Sequence, residues 1–152
     1  MEKDCGAWIN LLSHKVKKRL NGILQDLDIT AVQSRVIYYI LVHCQEGPVF
    51  QRDIESVFGL SRSTATGILQ LMEKKGIIRR ESVPNDARLK SLVPTPRAVK
   101  LNAEVSVGLE EMERRLTKGL SSGQVQLFRE IAAQMLRNLD EWDRDIADSV
   151  EP

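Results

Sequence analysis

Three features of the sequence predict a mainly α fold (α+β). Apolar residues recur at three- and four-residue steps near both ends of the chain. Two short amphipathic stretches in the middle are joined by a turn containing Gly59, and two alternating segments follow around Pro84-Asn85-Asp86. At 152 residues the chain suits one domain with its own core and is short for two. Hydrophobic residues make up 42% and charged residues 28%, the balance of a folded chain rather than a disordered one. No run approaches the ~18 uninterrupted apolar residues of a membrane span. The start, Met1-Glu2-Lys3-Asp4-Cys5, mixes charges where a signal peptide carries an apolar run, so a cytoplasmic protein with no membrane partner is expected.

Trp8, Leu11, Leu12, Val16, Leu20, Ile23, Leu24 and Leu27 form the first apolar stripe and hence the first helix. Its other side carries Lys15, Lys17, Lys18 and Arg19, read as a solvated face rather than a membrane-lying one. Thr30-Ala31-Val32-Gln33 matches a capping box, which starts a second helix running to about Gln45. Gly47-Pro48 ends it, because proline disfavours helical geometry in the residue before it. A short helix from Gln51 to Phe58 offers Ile54, Val57 and Phe58 as its buried side; Gly59 then turns the chain and Leu60 plugs the turn. Ser61 is the N-cap of the next helix, which runs from Arg62 to about Lys75 and is closed by Gly76. Its apolar face is Ala65, Ile68, Leu69 and Met72, and its polar face is Arg62, Ser63, Thr66, Gly67 and Gln70.

Two short helices joined through a glycine turn make a helix-turn-helix, whose second helix fits a DNA major groove. A face of Ser, Thr, Gly and Gln nearly free of acids suits close approach to phosphates and base edges, so Arg62, Ser63, Thr64, Thr66 and Gln70 are candidate DNA contacts. Ile77 to Ser82 and Leu89 to Val93 read as two strands around a turn at Val83-Pro84-Asn85-Asp86-Ala87-Arg88. A hairpin directly after a recognition helix is a wing, and Arg88 at its tip can enter the minor groove.

The net charge of +1 conceals an asymmetry. Residues 51–100 hold ten Lys or Arg against five Asp or Glu, whereas residues 101–152 hold six against eleven, so the middle is +5 and the last third −5. A basic module facing a polyanion fits this pattern, although an ordinary uneven surface produces it too. The last third continues as two helices. Leu101, Val105, Leu109, Met112 and Leu116 form one stripe; a second capping box at Ser121-Ser122-Gly123-Gln124 introduces another of Val125, Phe128, Ile131, Ala132, Met135, Leu139, Trp142 and Ile146. A small winged module cannot bury these stripes, so a second subunit is the expected partner, with segments 1–28 and 101–148 supplying the interface around a winged part at 30–100. The alternative is a monomeric helical bundle with an appended wing.

The leucine-rich lead helix, the Ser61 start of the recognition helix, Leu71-Met72-Glu73-Lys74-Lys75-Gly76 at its end and the Asp86-Ala87-Arg88 wing together resemble the MarR family of winged helix-turn-helix transcription regulators. The resemblance spans nearly the whole chain. It implies one MarR-like domain over 1–152, a homodimer on double-stranded DNA with a pseudo-palindromic operator, Arg88 in the minor groove, and Asp86 holding the wing and its arginine in place. The chain departs from the family at Val93-Pro94-Thr95-Pro96-Arg97-Ala98; there Thr95 can cap the next helix and Pro96 can take its first position. A ligand-responsive repressor follows, with a small aromatic or phenolic effector and no cofactor. Trp8, His14, Tyr38, Tyr39 and His43 lie on the helices that the resemblance places near the effector crevice, though each has an ordinary packing role as its simpler reading.

Phosphate loops, nucleophile elbows and His-Glu-x-x-His motifs are all missing, so no enzyme is expected. His14 and His43 lie far apart, Cys5 and Cys44 stand alone, and neither a metal site nor a disulfide framework follows; two free thiols are expected, open to oxidant sensing. The rival to DNA binding is a winged helix that has become a protein-interaction module.

Overall fold

The computed structural model describes residues 4–150, so Met1-Glu2-Lys3 of the charged start and of the 1–28 segment lie outside the described residues. By internal contacts the chain divides into two units, Met1–Met112 and Glu113–Pro152.

In the first unit α1 (Cys5–Asp26) starts on Asp4, whose carboxylate accepts the Ala7 N–H at 2.7 Å. Asp28 turns the chain at φ +54°, a left-handed conformation that a short polar side chain tolerates. The capping box then forms as its sequence predicts: Gln33 N–H donates to Thr30 Oγ1 (3.1 Å) and Thr30 N–H to Gln33 Oε1 (3.0 Å). Helix α2 (Ala31–His43) buries Val36, Ile37 and Ile40 and stops two residues short of the expected Gln45. Past Gly47-Pro48, Val49 forms an antiparallel bridge with Leu92, accepting its N–H at 2.7 Å.

Helix α3 (Gln51–Phe58) buries Ile54 and half-buries Phe58, but Val57, expected inside, is 54% exposed. Ile54 and Phe58 stand one turn apart on a single face; a two-turn helix has one narrow buried stripe, and Val57 falls beside it. Gly59 takes φ +60° at the turn. Helix α4 (Arg62–Lys74) begins on Ser61, whose Oγ accepts the Thr64 N–H at 3.2 Å, and buries Ala65, Leu69 and Met72. Ile68 is only half-buried.

Strands β1 (Ile78–Val83) and β2 (Asp86–Pro94) pair antiparallel, from Ile78 with Pro94 to Val83 with Asp86. The connection is therefore tighter than the six residues expected. Pro84 and Asn85 alone form the turn, with Asn85 at φ +70°, and Asp86, Ala87 and Arg88 already belong to β2. A register irregularity between Ser82 and Val83 takes up the extra residues of β2.

Helix α5 (Pro96–Leu116) has Pro96 first, as expected, but Thr95 does not spend its hydroxyl on a cap. The Thr95 Oγ1 lies 2.6 Å from the Gly76 carbonyl and 2.9 Å from that of Ile77, bonding the α4–β1 junction, while its own carbonyl accepts the Ala98 N–H. Early α5 buries Ala98, Leu101 and Val105 in the same core as Leu24 of α1, Ile40, Ile54, Met72 and Leu92. At Gly108 the helix passes so close to α1 that a Cβ there would sit 2.7 Å from Ile23 Cγ2.

In the second unit Ser121 and Gln124 form the other capping box, at 3.2 and 2.9 Å, and open α6 (Ser122–Val150). Phe128, Ile131, Leu139, Trp142 and Ile146 recur along this helix and all are exposed.

Candidate nucleic-acid interface

The helix-turn-helix is α3, the Gly59 turn and α4. Burial of Ala65, Leu69 and Met72 fixes the roll of α4, and the periodicity then leaves Arg62, Ser63, Thr64, Gly67 and Gln70 exposed. At the helix start Ser61 Oγ bonds Thr64 Oγ1 at 2.8 Å and lies 3.2 Å from Ser63 Oγ. The hydroxyl of Thr64 is thus part of the cap, and Ser63, one residue before it, borders the same cluster. Thr66 differs from the other candidates. It is half-buried, donates its hydroxyl to the Arg62 carbonyl (2.8 Å) and accepts from Gln51 Nε2 (2.8 Å), so its polar capacity is largely used inside the protein.

On the wing, Asp86 Oδ1 accepts the backbone N–H of Arg88 at 2.9 Å, which closes a short loop at the head of β2. The Arg88 side chain is exposed. Further down the hairpin, Lys90 Nζ donates to Ser82 Oγ (2.6 Å) and Arg79 Nε to Glu81 Oε1 (2.7 Å). The wing therefore presents a cation whose backbone is held from within its own strand.

Three residues outside the candidate DNA contacts, Gln51, Glu73 and Arg80, tie these parts together. Gln51 opens α3 and reaches Thr66 and the Arg62 carbonyl (3.3 Å) in α4; its amide oxygen accepts from Arg80 Nη2 of β1 at 3.3 Å. Arg80 Nε in turn meets Glu73 Oε2 of α4 at 3.1 Å. Apart from Glu55, one helical turn on, the partners of Gln51 lie 11 to 29 residues away, so no local pattern signals them.

The residues named for an effector are dispersed. His43 stacks near Tyr39 with ring centroids 4.3 Å apart, and Tyr39 meets Phe58 edge-on at 6.0 Å. Tyr38 is 61% exposed, His14 is exposed, and Trp8 lies sixteen residues before the buried Leu24, ~24 Å along the helix at 1.5 Å per residue. An open cleft of about 400 Å³ lies elsewhere, between Asn21, Leu24 and Gln25 of α1, Asp28-Ile29-Thr30-Ala31 and Lys75. None of Trp8, His14, Tyr38 and His43 lines it. Lys75 Nζ donates to the Asp28 carbonyl at 2.6 Å, fastening the end of α4 to the α1–α2 turn. Cys5 and Cys44 are free thiols, and among the described residues no cluster could hold a metal ion and no helix is long and apolar enough to cross a membrane.

A helix-turn-helix followed by an arginine-bearing hairpin defines a winged-helix module, and known proteins agree. The MarR family model matches residues 27–89. Over 133 residues the chain is 29% identical to the multiple antibiotic resistance protein MarR of Salmonella typhimurium, covering 86% of this chain and 90% of that one. The S. aureus MepR–DNA complex is similar with a TM-score of 0.75 at 26% identity, over 88% of this chain and 98% of that chain. The transcription regulator MarR from Oenococcus oeni is 30% identical over 88% of this chain and 99% of its own, with a TM-score of 0.57. The chain belongs to the MarR family of winged-helix transcription regulators.

Proposed function

We propose that this protein binds double-stranded DNA sequence-specifically as a homodimer and represses the genes beside its pseudo-palindromic operator. The observation that carries the reading is the exposed face of Arg62, Ser63, Gly67 and Gln70 on α4, in one module with the exposed Arg88 of the wing. An α-helix fits the major groove, and side-chain amides and guanidinium groups match base edges there. The similarity to MepR, whose structure holds DNA, supports the same role. The homodimer draws support from two places: Trp8, Ile9, Leu11 and Leu12 at the start of α1, and the apolar stripe of α6, all exposed in the single chain. Pairing segments 1–28 and 101–148 covers them and sets two recognition helices about one DNA turn, ~34 Å, apart. A dimer seated on a promoter obstructs transcription, which makes repression the direct outcome.

We place the effector in the cleft beside Lys75, which none of Trp8, His14, Tyr38 and His43 lines. Leu24 and Ile29 offer an apolar floor for a small aromatic or phenolic molecule, and Lys75, whose ammonium lies 3.4 Å from the Asp28 carboxylate, a donor for its polar end. Lys75 also fastens α4 to the α1–α2 turn, which couples this cleft to the recognition helix.

Selection of bound fragments from a random duplex pool by the purified protein tests the function. A recovered inverted repeat is expected; recovery of no sequence, or affinity that barely changes with salt, favours a protein-interaction module instead. Thermal-shift titration with benzoate- and phenol-type compounds tests the effector, with stabilisation expected in wild type and lost in Lys75→Met.

A further inference from the structure

One side chain, Gln51, bonds the recognition helix and the wing at once. Its amide nitrogen reaches Thr66 Oγ1 (2.8 Å), Glu55 Oε1 (3.0 Å) and the Arg62 carbonyl (3.3 Å), while its amide oxygen accepts from Arg80 (3.3 Å). Arg80 spends its Nε on Glu73, with the two side chains only 26% and 31% exposed. The first half of α4 is thereby coupled to β1 through Gln51, and the second half through Glu73. Apart from the hairpin's own backbone, this is a continuous polar path from the helix that faces the bases to the strand that carries the wing.

We infer that Gln51, Arg80 and Glu73 are positioning residues that set the angle of the wing to the recognition helix, and so decide which operator the protein prefers. The inference rests on the DNA-reading function proposed above. Its physical basis is leverage. Strands rise ~3.3 Å per residue, so the wing tip at Asn85 stands ~16 Å beyond Arg80, and a tilt of ~5° at that base moves the tip by ~1.4 Å. Groove hydrogen bonds are lost over such a distance. Thr66 belongs to this frame: its hydroxyl is engaged by Gln51 and by the Arg62 carbonyl, which makes it a support for the reading face rather than a reader.

The test compares wild type, Gln51→Ala, Arg80→Met and Glu73→Gln, full-length, on the duplex the wild type selects and on a base-shuffled duplex of equal length, across a salt series. In each variant the preference for the selected duplex is expected to fall about tenfold while the salt slope stays at the wild-type value, because no phosphate contact is removed. Melting curves accompany the titrations; Glu73→Gln keeps the side chain's shape and guards against a variant that merely unfolds. Adding Thr66→Val to Gln51→Ala is expected to cost no further preference, as for two members of one path. Folded variants with undiminished preference overturn the inference. A salt slope shallower by ~0.9 in Arg80→Met overturns it too, since that residue then touches phosphate itself. A wild type that selects no duplex overturns the DNA-reading function, and the inference with it.

Discussion

Gly67 offers a substitution whose effects on stability and on binding should have opposite signs. It is the sixth residue of α4, exposed, and a Cβ built there meets nothing within 4 Å. Glycine inside a helix costs ~0.8 to 1 kcal/mol relative to alanine, chiefly through backbone entropy, and nothing within this chain demands it. Gly67→Ala should therefore stabilise the free protein by about 1 kcal/mol, raising Tm by ~2 to 4 °C for a chain of this size. On DNA the position matters differently. Gly67 stands four residues after Ser63 and three before Gln70, on the stripe proposed to face the bases, so on that proposal the added methyl enters between helix and groove. Forfeiting one well-formed base contact costs ~1 to 3 kcal/mol, and affinity for the selected duplex should fall ~5- to 150-fold. Thermal melting and fluorescence anisotropy at one salt concentration read both effects. A variant that melts higher yet binds as tightly as wild type would mean that this stripe does not face the groove; one that melts lower would refute the open space around residue 67.

Arg88→Ala should weaken specific binding by roughly 1 to 3 kcal/mol with the fold intact, and an unchanged titration at fixed salt would remove the wing from the interface. Gly108→Ala should lower Tm despite better helix propensity, because the new methyl overlaps Ile23; pairing it with Ile23→Ala should recover part of the loss, and additive losses would deny the contact. Thr30→Ala deletes one half of a formed capping box and should cost about 1 kcal/mol in denaturant titration, with a cost near zero meaning that the Gln33 half suffices. Trp142→Glu places a charge on the exposed stripe of α6 and should shift the sedimenting species toward monomer; a dimer of wild-type strength would put the interface elsewhere.

Legibility followed the range of the interaction. The capping boxes at Thr30 and Ser121, the Ser61 cap and the Gly59 turn each involve residues within four positions of one another, and each forms as its local pattern predicts. The alternation of the wing is equally plain, but local preference spreads its turn over six residues because Asp86 and Arg88 look like loop residues. Cross-strand pairing with Val83 draws them into β2, and no local preference contains that information. Val57 is exposed against expectation for a similar reason: the periodicity of a two-turn helix does not say which few of its apolar residues are covered.

Sequence alone determined the order of the elements, the caps at Thr30, Ser61 and Ser121, the Gly59 turn, and which face of α4 stays polar, since helical and strand periods and side-chain-to-backbone bonds act over a few residues. Its short motifs carried the resemblance that the MarR family match bears out. Only the tertiary structure decided where the long-range polar bonds fall. Thr95 bonds carbonyls eighteen and nineteen residues back instead of capping α5, Lys75 reaches Asp28, and Gln51 joins Thr66 to Arg80. A buried or half-buried donor takes whichever acceptor the packed core brings within ~3 Å, and that choice is made by apolar packing, which is blind to sequence separation.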